Sequence, residues 1–243
     1  MRHYLSALII ALAIIIAFFI AGNAYKQRFR SAEIISVTGL AEKDFVSDQI
    51  VWTGTFSRQA FELRSAYASL KADEQEIKRY LNAAGIPDSS IVFSSIDVVR
   101  NYDTRYDDNG RMTGNVFNGY NLTGRVTVDS RNIPVVEKLS REITGLLEKG
   151  IELNSQQPSY YYSRLNELKI DLLAKAAADA KLRAETIAEN SKVGLGNLKK
   201  ANMGVFQITG RNTNEDYSYG GVFNTTSKEK TASITLRVEY GVD

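Results

Sequence analysis

The fold is indicated most clearly by the stretch Thr231-Ala232-Ser233-Ile234-Thr235-Leu236-Arg237-Val238-Glu239-Tyr240, near the C-terminus of the chain. Apolar and polar side chains alternate at every position, which is the pattern of a β-strand with one buried face. Strands of this kind are typical of antiparallel sheets that are covered on one face only. The stretch therefore predicts an α+β fold, with helices packed on one face of a mostly antiparallel sheet.

The sequence pattern of the rest of the chain predicts the element order ββαββαβαββ, in one domain that spans residues 31–243. The predicted elements are strands 34–39 and 48–58, helix 62–84, strands 91–102 and 120–128, helix 130–149, a short strand from residue 151, helix 163–190, and strands 198–209 and 231–240. The stretch 43–47 predicts a turn that joins the first two strands as a hairpin. Asn109-Gly110 predicts the turn of a second hairpin.

Composition removes several classes of function. The 243 residues include no cysteine and one histidine, His3, which excludes thiol nucleophiles, serine–histidine–aspartate hydrolysis and histidine-rich zinc sites. Thirty Lys and Arg oppose 28 Asp and Glu, so the net charge of +2 argues against a nucleic-acid partner. We expect a protein that is not an enzyme and that has no cofactor and no metal site.

The N-terminal segment is strongly apolar. Residues 5–22 are interrupted only by Ser6 and would span about 27 Å as a helix, close to the roughly 30 Å of a bilayer core. We predict a transmembrane signal-anchor at 5–24, after a flank at 1–4 and before a basic linker at 25–30. The small residues Gly22 and Ala24 leave a cleaved secretory signal as the alternative.

The charges around this segment favour one orientation. Arg2 lies before it, whereas Lys26, Arg28 and Arg30 follow it. The positive-inside rule, taken alone, would keep the following domain in the cytoplasm. The rule is a bias, because large domains can be translocated despite it, so charge alone leaves the orientation open.

Aromatic residues supply the candidate interface. Exposed aromatic side chains often mark binding surfaces, and the candidates are Tyr160, Tyr161, Tyr162, Tyr217, Tyr219 and Phe223. The alternative is structural, with Tyr160 and Tyr162 on one face of a strand and Tyr161 in the core.

Acidic residues offer weaker candidates. Glu42 and Asp48 flank the first predicted turn, where a carboxylate pair could act on a glycan, although such acids more often face solvent or pair with Lys43. The acidic loop around Asp107 and Asn109 does not have the spacing of a calcium loop, which favours a solvated hairpin tip. Neither group is assigned as catalytic.

Two further segments carry a family resemblance. Val37-Thr38-Gly39-Leu40-Ala41-Glu42 resembles the V-x-G-x-(A/G)-E strand that opens the SIMPL domain family. The helical stretch 174–188, AKAAADAKLRAETIA, is similar to that family's A-x-x-D-A-(K/R)-x-(K/R)-A-E-x-(I/L)-A helix and is followed by Gly194. The helix that ends at Gly85-Ile86 and the final alternating strand also fit, so the resemblance covers roughly residues 31–243.

The resemblance implies an α+β domain of the bacterial cell envelope, with oligomeric assembly and a link to oxidative-stress defence. It supplies no catalytic residues. It places the domain in the periplasm, anchored to the inner membrane, against the local charges. The leading hypothesis is a non-enzymatic anchored protein that contacts copies of itself or other envelope proteins. The alternatives are a carboxylate-dependent hydrolase of envelope glycans and a module that binds a small ligand or peptide.

Overall fold

The computed structural model describes residues 14–22, 25 and 33–243. After a helical segment at 14–22, the described residues form ten strands and three α-helices, with 3₁₀ turns at Asp88–Ser90 and Ile143–Lys149. The elements are β1 (Ile34–Val46), β2 (Gln49–Ala60), α1 (Leu63–Ala83), β3 (Ile91–Phe93), β4 (Asp97–Tyr106), β5 (Met112–Ser130), α2 (Ile133–Glu142), β6 (Leu153–Ser155), β7 (Ser159–Tyr161), α3 (Leu165–Asn190), β8 (Leu195–Met203), β9 (Gln207–Gly210) and β10 (Glu229–Val242). The α+β class, with mostly antiparallel pairing, is confirmed.

The first sheet is built around β10. Its order is β1-β10-β8, and β9 pairs with the N-terminal part of β10. Ile234, Leu236 and Val238 alternate inward as the sequence predicts, and they pack in one cluster with Leu172 and Ala180 of α3. Helix α3 thus supplies the cover of this sheet.

The second sheet is built around β5 and β2. Its order is β3-β5-β2-β6, with β4 also paired to β5 and β7 to β2. Trp52 and Phe56 of β2 pack in one cluster with Leu70 of α1 and Val136 of α2. Residues 33–243 therefore form two hydrophobic clusters, one for each sheet, where the sequence predicts a single sheet.

The predicted hairpin between the first two strands is wrong. Residues 43–46, assigned to its turn, continue β1, which pairs over all 13 residues with β10. β2 lies in the other sheet and pairs with β5. The two-residue link at Ser47 and Asp48 carries the chain between sheets, because alternation specifies the buried face of a strand and not its neighbour.

Other elements subdivide further than predicted. The strand expected at 91–102 is split into β3 and β4, and the one expected at 198–209 into β8 and β9. The hairpin at Asn109-Gly110 is confirmed, since β4 pairs with β5 and Gly110 has the left-handed φ of 74° that glycine tolerates.

In the hairpin of β4 and the first half of β5, no residue from 97 to 119 belongs to either cluster. We call residues 97–119 the arm. Every residue of β4 except Asn101 is exposed. Gly119, with a φ of 98°, marks where β5 leaves the body of the sheet and enters the arm.

The predicted membrane segment 5–24 lies partly outside the described residues. Its described part, 14–22, is helical, and the side chains of Phe18 and Phe19 are about three-quarters exposed, at 76% and 74%. Within the described residues, none of the helices combines the length and apolar character needed to cross a membrane.

Candidate functional site

The three consecutive tyrosines of the predicted patch lie where the two sheets meet. Tyr160 packs against the cluster of the second sheet and its hydroxyl donates to Glu137, 3.0 Å away. Tyr162 packs against the cluster of the first sheet, with its ring centroid 4.9 Å from that of Phe45. Tyr161 is half-buried, and its carbonyl accepts a hydrogen bond from the Asp48 amide. This segment therefore joins two cores.

The three later aromatic residues of the predicted patch are exposed. Tyr217 and Phe223 are 63% and 52% exposed, and Tyr219 is fully exposed. Their loop is held by a buried glutamine, since Gln207 Nε2 donates to the Ser218 carbonyl at 2.8 Å and its Oε1 accepts from the Val222 amide at 2.8 Å. The loop thus presents aromatic side chains from a fixed backbone.

An open pocket lies beside this loop. It has a volume of about 520 Å³ and its lining includes Leu40, Val205, Tyr217, Tyr219 and Ile234. The lining is largely apolar, and one polar pair lies in its wall, where Ser233 Oγ donates to the Tyr217 hydroxyl at 3.3 Å. Such a pocket suits an apolar or aromatic group with few hydrogen bonds.

Behind the loop lies a buried lysine that sequence reasoning missed. Lys230 is 2% exposed, and its Nζ donates to the carbonyls of Tyr160 and Asn224, each at 2.6 Å. Burial lowers the pKa of Lys230 to about 8, and the negative charge of Glu215 partly opposes that shift. The lysine therefore ties the loop and the tyrosine segment to β10.

The sequence held a signal for this lysine. Ala232, Ile234 and Leu236 face inward at period two, and Lys230 has the same parity. A lysine on the buried face of a strand requires hydrogen-bond acceptors. Extending the alternation back by two residues would have identified it.

Of the two candidate carboxylates, Asp48 has a structural role. Asp48 accepts hydrogen bonds from the Ser163 amide at 2.7 Å and the Ser163 hydroxyl at 2.6 Å, next to the start of α3. Burial acts to raise the pKa of Asp48, but these hydrogen bonds outweigh it and leave the pKa below its ordinary value. Glu42 lies within β1, opposite Ser233. Asp48 therefore fixes a turn as an ionised carboxylate.

The acidic hairpin loop is likewise a turn. Asp107 Oδ1 accepts from the amides of Asn109 and Arg111, at 3.0 and 2.7 Å. Such side-chain to backbone bonds stabilise loops rich in Asp and Asn. In the part of the chain that is described, no three acidic or histidine side chains gather as a metal site would require.

The base of the arm carries a second apolar surface, which the sequence analysis also missed. Phe117 lies between Phe61, Tyr102 and Tyr120, with ring centroids 5.1–5.8 Å apart. An adjoining groove of about 980 Å³ runs between α1 and the sheet, and its lining includes Leu63, Tyr67, Ile96, Val98 and Tyr120. The missed signal was the row of valines and tyrosines on both faces of one strand.

The two motifs that carry the family resemblance meet in space. A Cβ atom at Gly39 would lie 2.6 Å from Ala180 N and closer still to Ala176 O, so only glycine allows α3 to approach β1 here. Asp179 Oδ2 accepts from the Leu40 amide at 2.8 Å. That bond, followed by the hydrogen bond and charge of Arg183, lowers the pKa of Asp179. The alanine face of α3 is thus an internal packing surface.

Comparison with known proteins agrees with this geometry. The model of the SIMPL family, described as proteins of unknown function (DUF541), matches residues 35–240. No protein with a curated description matches the chain. The match begins in β1 and ends in β10, so it takes in both sheets, the arm and the contact between Gly39 and α3. The chain therefore belongs to the SIMPL family.

Proposed function

We propose that this protein is a non-enzymatic component of the bacterial cell envelope, anchored in the inner membrane, that acts by self-assembly and by contacts with other envelope proteins. The observation that carries the proposal is the arm. It exposes Val98, Val99, Tyr102 and Tyr106 by between 52% and 65% of their surface. Several large apolar side chains exposed along one strand are typical of a protein–protein interface.

A second surface supports the same proposal. The loop with Tyr217, Tyr219 and Phe223 exposes three aromatic rings on a backbone held by Gln207. Aromatic residues are enriched at interfaces, because they bury a large area at little cost in side-chain entropy. Two separate surfaces would let one copy contact two neighbours.

The anchor and the location form part of the proposal. The helical residues 14–22 carry exposed isoleucine and phenylalanine side chains, which suit a lipid environment better than water. We place the domain in the periplasm, with a role in envelope or oxidative stress. A reporter that is active only outside the cytoplasm, fused after Asp243, tests this orientation, and an inactive reporter on a stably expressed fusion would contradict it.

Sedimentation velocity of the purified full chain tests self-assembly. We expect the sedimenting mass to rise with concentration to a multiple of 27.0 kDa. The variant Tyr219→Ser tests the part of the aromatic loop in that assembly. Its fold should stay intact, because the side chain of Tyr219 is fully exposed. A chain that remains monomeric over a wide range of concentration would overturn self-assembly.

The pocket beside the aromatic loop favours a second candidate, the binding of a small apolar ligand or peptide. Its largely apolar lining and the aromatic rings of Tyr217 and Tyr219 at its side suit such a group. A panel of hydrophobic peptides should then raise the melting temperature of the chain, and Tyr219→Ala should reduce that shift. Tyr106→Ala, which changes an exposed tyrosine of the arm, is the matched control.

A further inference from the structure

The outer edges of the two sheets differ in how they are protected. An unprotected edge invites pairing with another chain, and proteins block this with short strands, lysines or a covering element. The edge of β1 carries Lys43, and its Leu40 amide is hydrogen-bonded to Asp179 of α3. The edge of β8 carries Lys199 and Lys200. The strands β3, β6 and β7 have three residues each.

β4 is neither short nor covered, and its charged side chains are two aspartates and two arginines. It is ten residues long, contains neither proline nor lysine, and pairs only with β5. Its pairing has two irregularities, between Arg100 and Tyr102 and between Arg105 and Tyr106. At both irregularities the extra residue belongs to β5. At the first, β5 advances by three residues while β4 advances by two, and at the second, β5 advances by two while β4 advances by one. The outer edge of β4 is therefore regular.

The side chains of β4 also favour a further strand. Val98, Tyr102 and Tyr106 project from one face and Val99 from the other, and all four are at least half exposed. A two-stranded ribbon is marginally stable in water, whereas a third strand gives such side chains cross-strand neighbours. The arm thus has the geometry of a sheet that is completed by pairing.

The charges of β4 identify the partner. Asp97, Arg100, Asp103 and Arg105 alternate in sign along the strand. Two copies can pair antiparallel around a two-fold axis normal to the sheet, which keeps each side chain on its own face. With the axis at Asn101, Asp97 of each copy lies opposite Arg105 of the other copy. Arg100 of each copy likewise lies opposite Tyr102 of the other. Opposite charges and a cation over an aromatic ring are both favourable cross-strand pairs.

Neighbouring registers lack this complementarity. With the axis at Arg100, Asp97 would face Asp103 in both halves, which places like charges together. With the axis at Tyr102, Arg105 would face Val99 and Arg100 would face Thr104, so no opposite charges would meet. One register is therefore preferred over those next to it.

We propose that two copies of this chain associate through β4, antiparallel and centred on Asn101, so that the two arms form one continuous four-stranded sheet. This inference rests on the self-assembly proposed above and names its surface and register. The partner that fits the edge is a second copy, because the strand's own charge pattern is its complement.

Cysteine cross-linking of the full chain tests the register. The sequence has no cysteine, so Asn101→Cys introduces the only thiol. Residues directly opposite in an antiparallel pair have Cα atoms about 4.5–5.5 Å apart, within reach of a disulfide. Mild oxidation should therefore give a covalent dimer. Thr104→Cys is the matched control on the same strand, because its two copies would be about 20 Å apart, at six residues of roughly 3.3 Å.

A charge exchange tests the partner. Asp97→Arg and Arg105→Asp should each raise the dissociation constant about tenfold or more, since each places like charges opposite one another. The double variant restores opposite charges in exchanged positions, and its dissociation constant should return to within about threefold of the original. Circular dichroism melts should show that all three variants are folded, as expected for exposed side chains.

The outcomes separate this inference from the proposed function. If the chain assembles, but Asn101→Cys does not cross-link and the charge variants retain full assembly, the pairing through β4 is wrong and self-assembly stands on another surface. If the unmodified chain is monomeric at every concentration, both are overturned. Cross-linking through Thr104→Cys, with none through Asn101→Cys, would overturn the register and with it the argument from charge.

Discussion

β1 and β4 are long strands at the edges of the two sheets, and they differ in the contacts that the rest of the chain makes with their outer edges. On β1, α3 lies so close that a glycine is needed at residue 39, and Asp179 accepts a hydrogen bond from the Leu40 amide. On β4, ten residues face solvent along one side without a covering element. One edge is closed within the chain, and the other is left available to a partner.

The difference shows that the residues of the family resemblance serve the fold. Gly39, Ala176, Ala180 and Asp179 belong to the two matching motifs. The first three pack α3 closely on the face of β1, and Asp179 accepts a hydrogen bond from one amide at its edge. They create a packed contact and carry no reactive arrangement. The surfaces that we propose for interaction lie elsewhere, on the arm and on the aromatic loop.

The largest effect should come from breaking the closed edge. Gly39→Ala places a Cβ within 2.6 Å of Ala180 N, so β1 and α3 must separate, and we expect a loss of about 3 kcal/mol in the free energy of unfolding. Chemical denaturation measures it. Gly145→Ala is the control, because a Cβ there meets no atom within 4 Å. Equal stability of the two variants would show that the close approach is not required.

Lys230 connects the closed sheet to the other one, and its removal should have the next largest effect. Lys230→Met leaves the carbonyls of Tyr160 and Asn224 without their donor, which should cost about 2 kcal/mol of unfolding free energy. Lys228→Met, at a partly exposed lysine two residues away, is the matched control. A variant as stable as the parent would mean that the lysine does not join the two sheets.

The same lysine should make stability depend on pH. Its pKa is about 8 in the folded chain, against an ordinary value of 10.5. Between these two values the unfolded chain binds more protons, so the contribution of Lys230 to the free energy of unfolding rises as pH rises from about 8 to 10.5. The stability difference between the parent and Lys230→Met, measured across this range, isolates it. A difference that is constant with pH would contradict the lowered pKa.

Asp179→Ala should have a smaller effect on the closed edge. The variant removes the acceptor for the Leu40 amide, so the parent should be modestly more stable at neutral pH. The pKa of Asp179 in the folded chain is lowered below its ordinary 3.8. Its contribution to the free energy of unfolding is therefore present above about pH 4 and is lost as the pH falls through the pKa of the folded chain. Parent and variant should therefore converge in acid, and a gap that persists there would argue for a packing effect.

The smallest effect on stability is expected on the open edge. Tyr106→Ser changes a side chain that is 65% exposed, and the free energy of unfolding of the monomer should change by less than about 0.5 kcal/mol. Chemical denaturation at low protein concentration measures it. A loss above about 1 kcal/mol would show that the arm is held by the body of its own chain.

Local pattern predicted much of the fold. The helices expected at 62–84 and 163–190 are found at 63–83 and 165–190, because each has apolar residues on one helical face and a glycine soon after its end. The hairpin at Asn109-Gly110 was predicted because that dipeptide adopts the turn readily. Pairing across long sequence separations was beyond this reasoning.

The candidate surfaces were predicted only in part. Tyr217, Tyr219 and Phe223 lie on the surface, whereas Tyr160 and Tyr162 pack into the two clusters. Both groups are aromatic and lie near turn residues, so their sequence contexts are alike. What separates them is the position of β7 between the two sheets, and that depends on which strands become neighbours.

The sequence alone determined which faces of β2, β10 and α3 are buried, since the spacing of apolar residues is a local property of the chain. It also determined, through missing cysteines and histidines, which chemistry the domain lacks. Only the tertiary structure decided that β1 pairs with β10 and that β4 keeps an open edge. Backbone hydrogen bonds are the same for every residue type, so the choice of partner strand depends on how all the buried faces pack together.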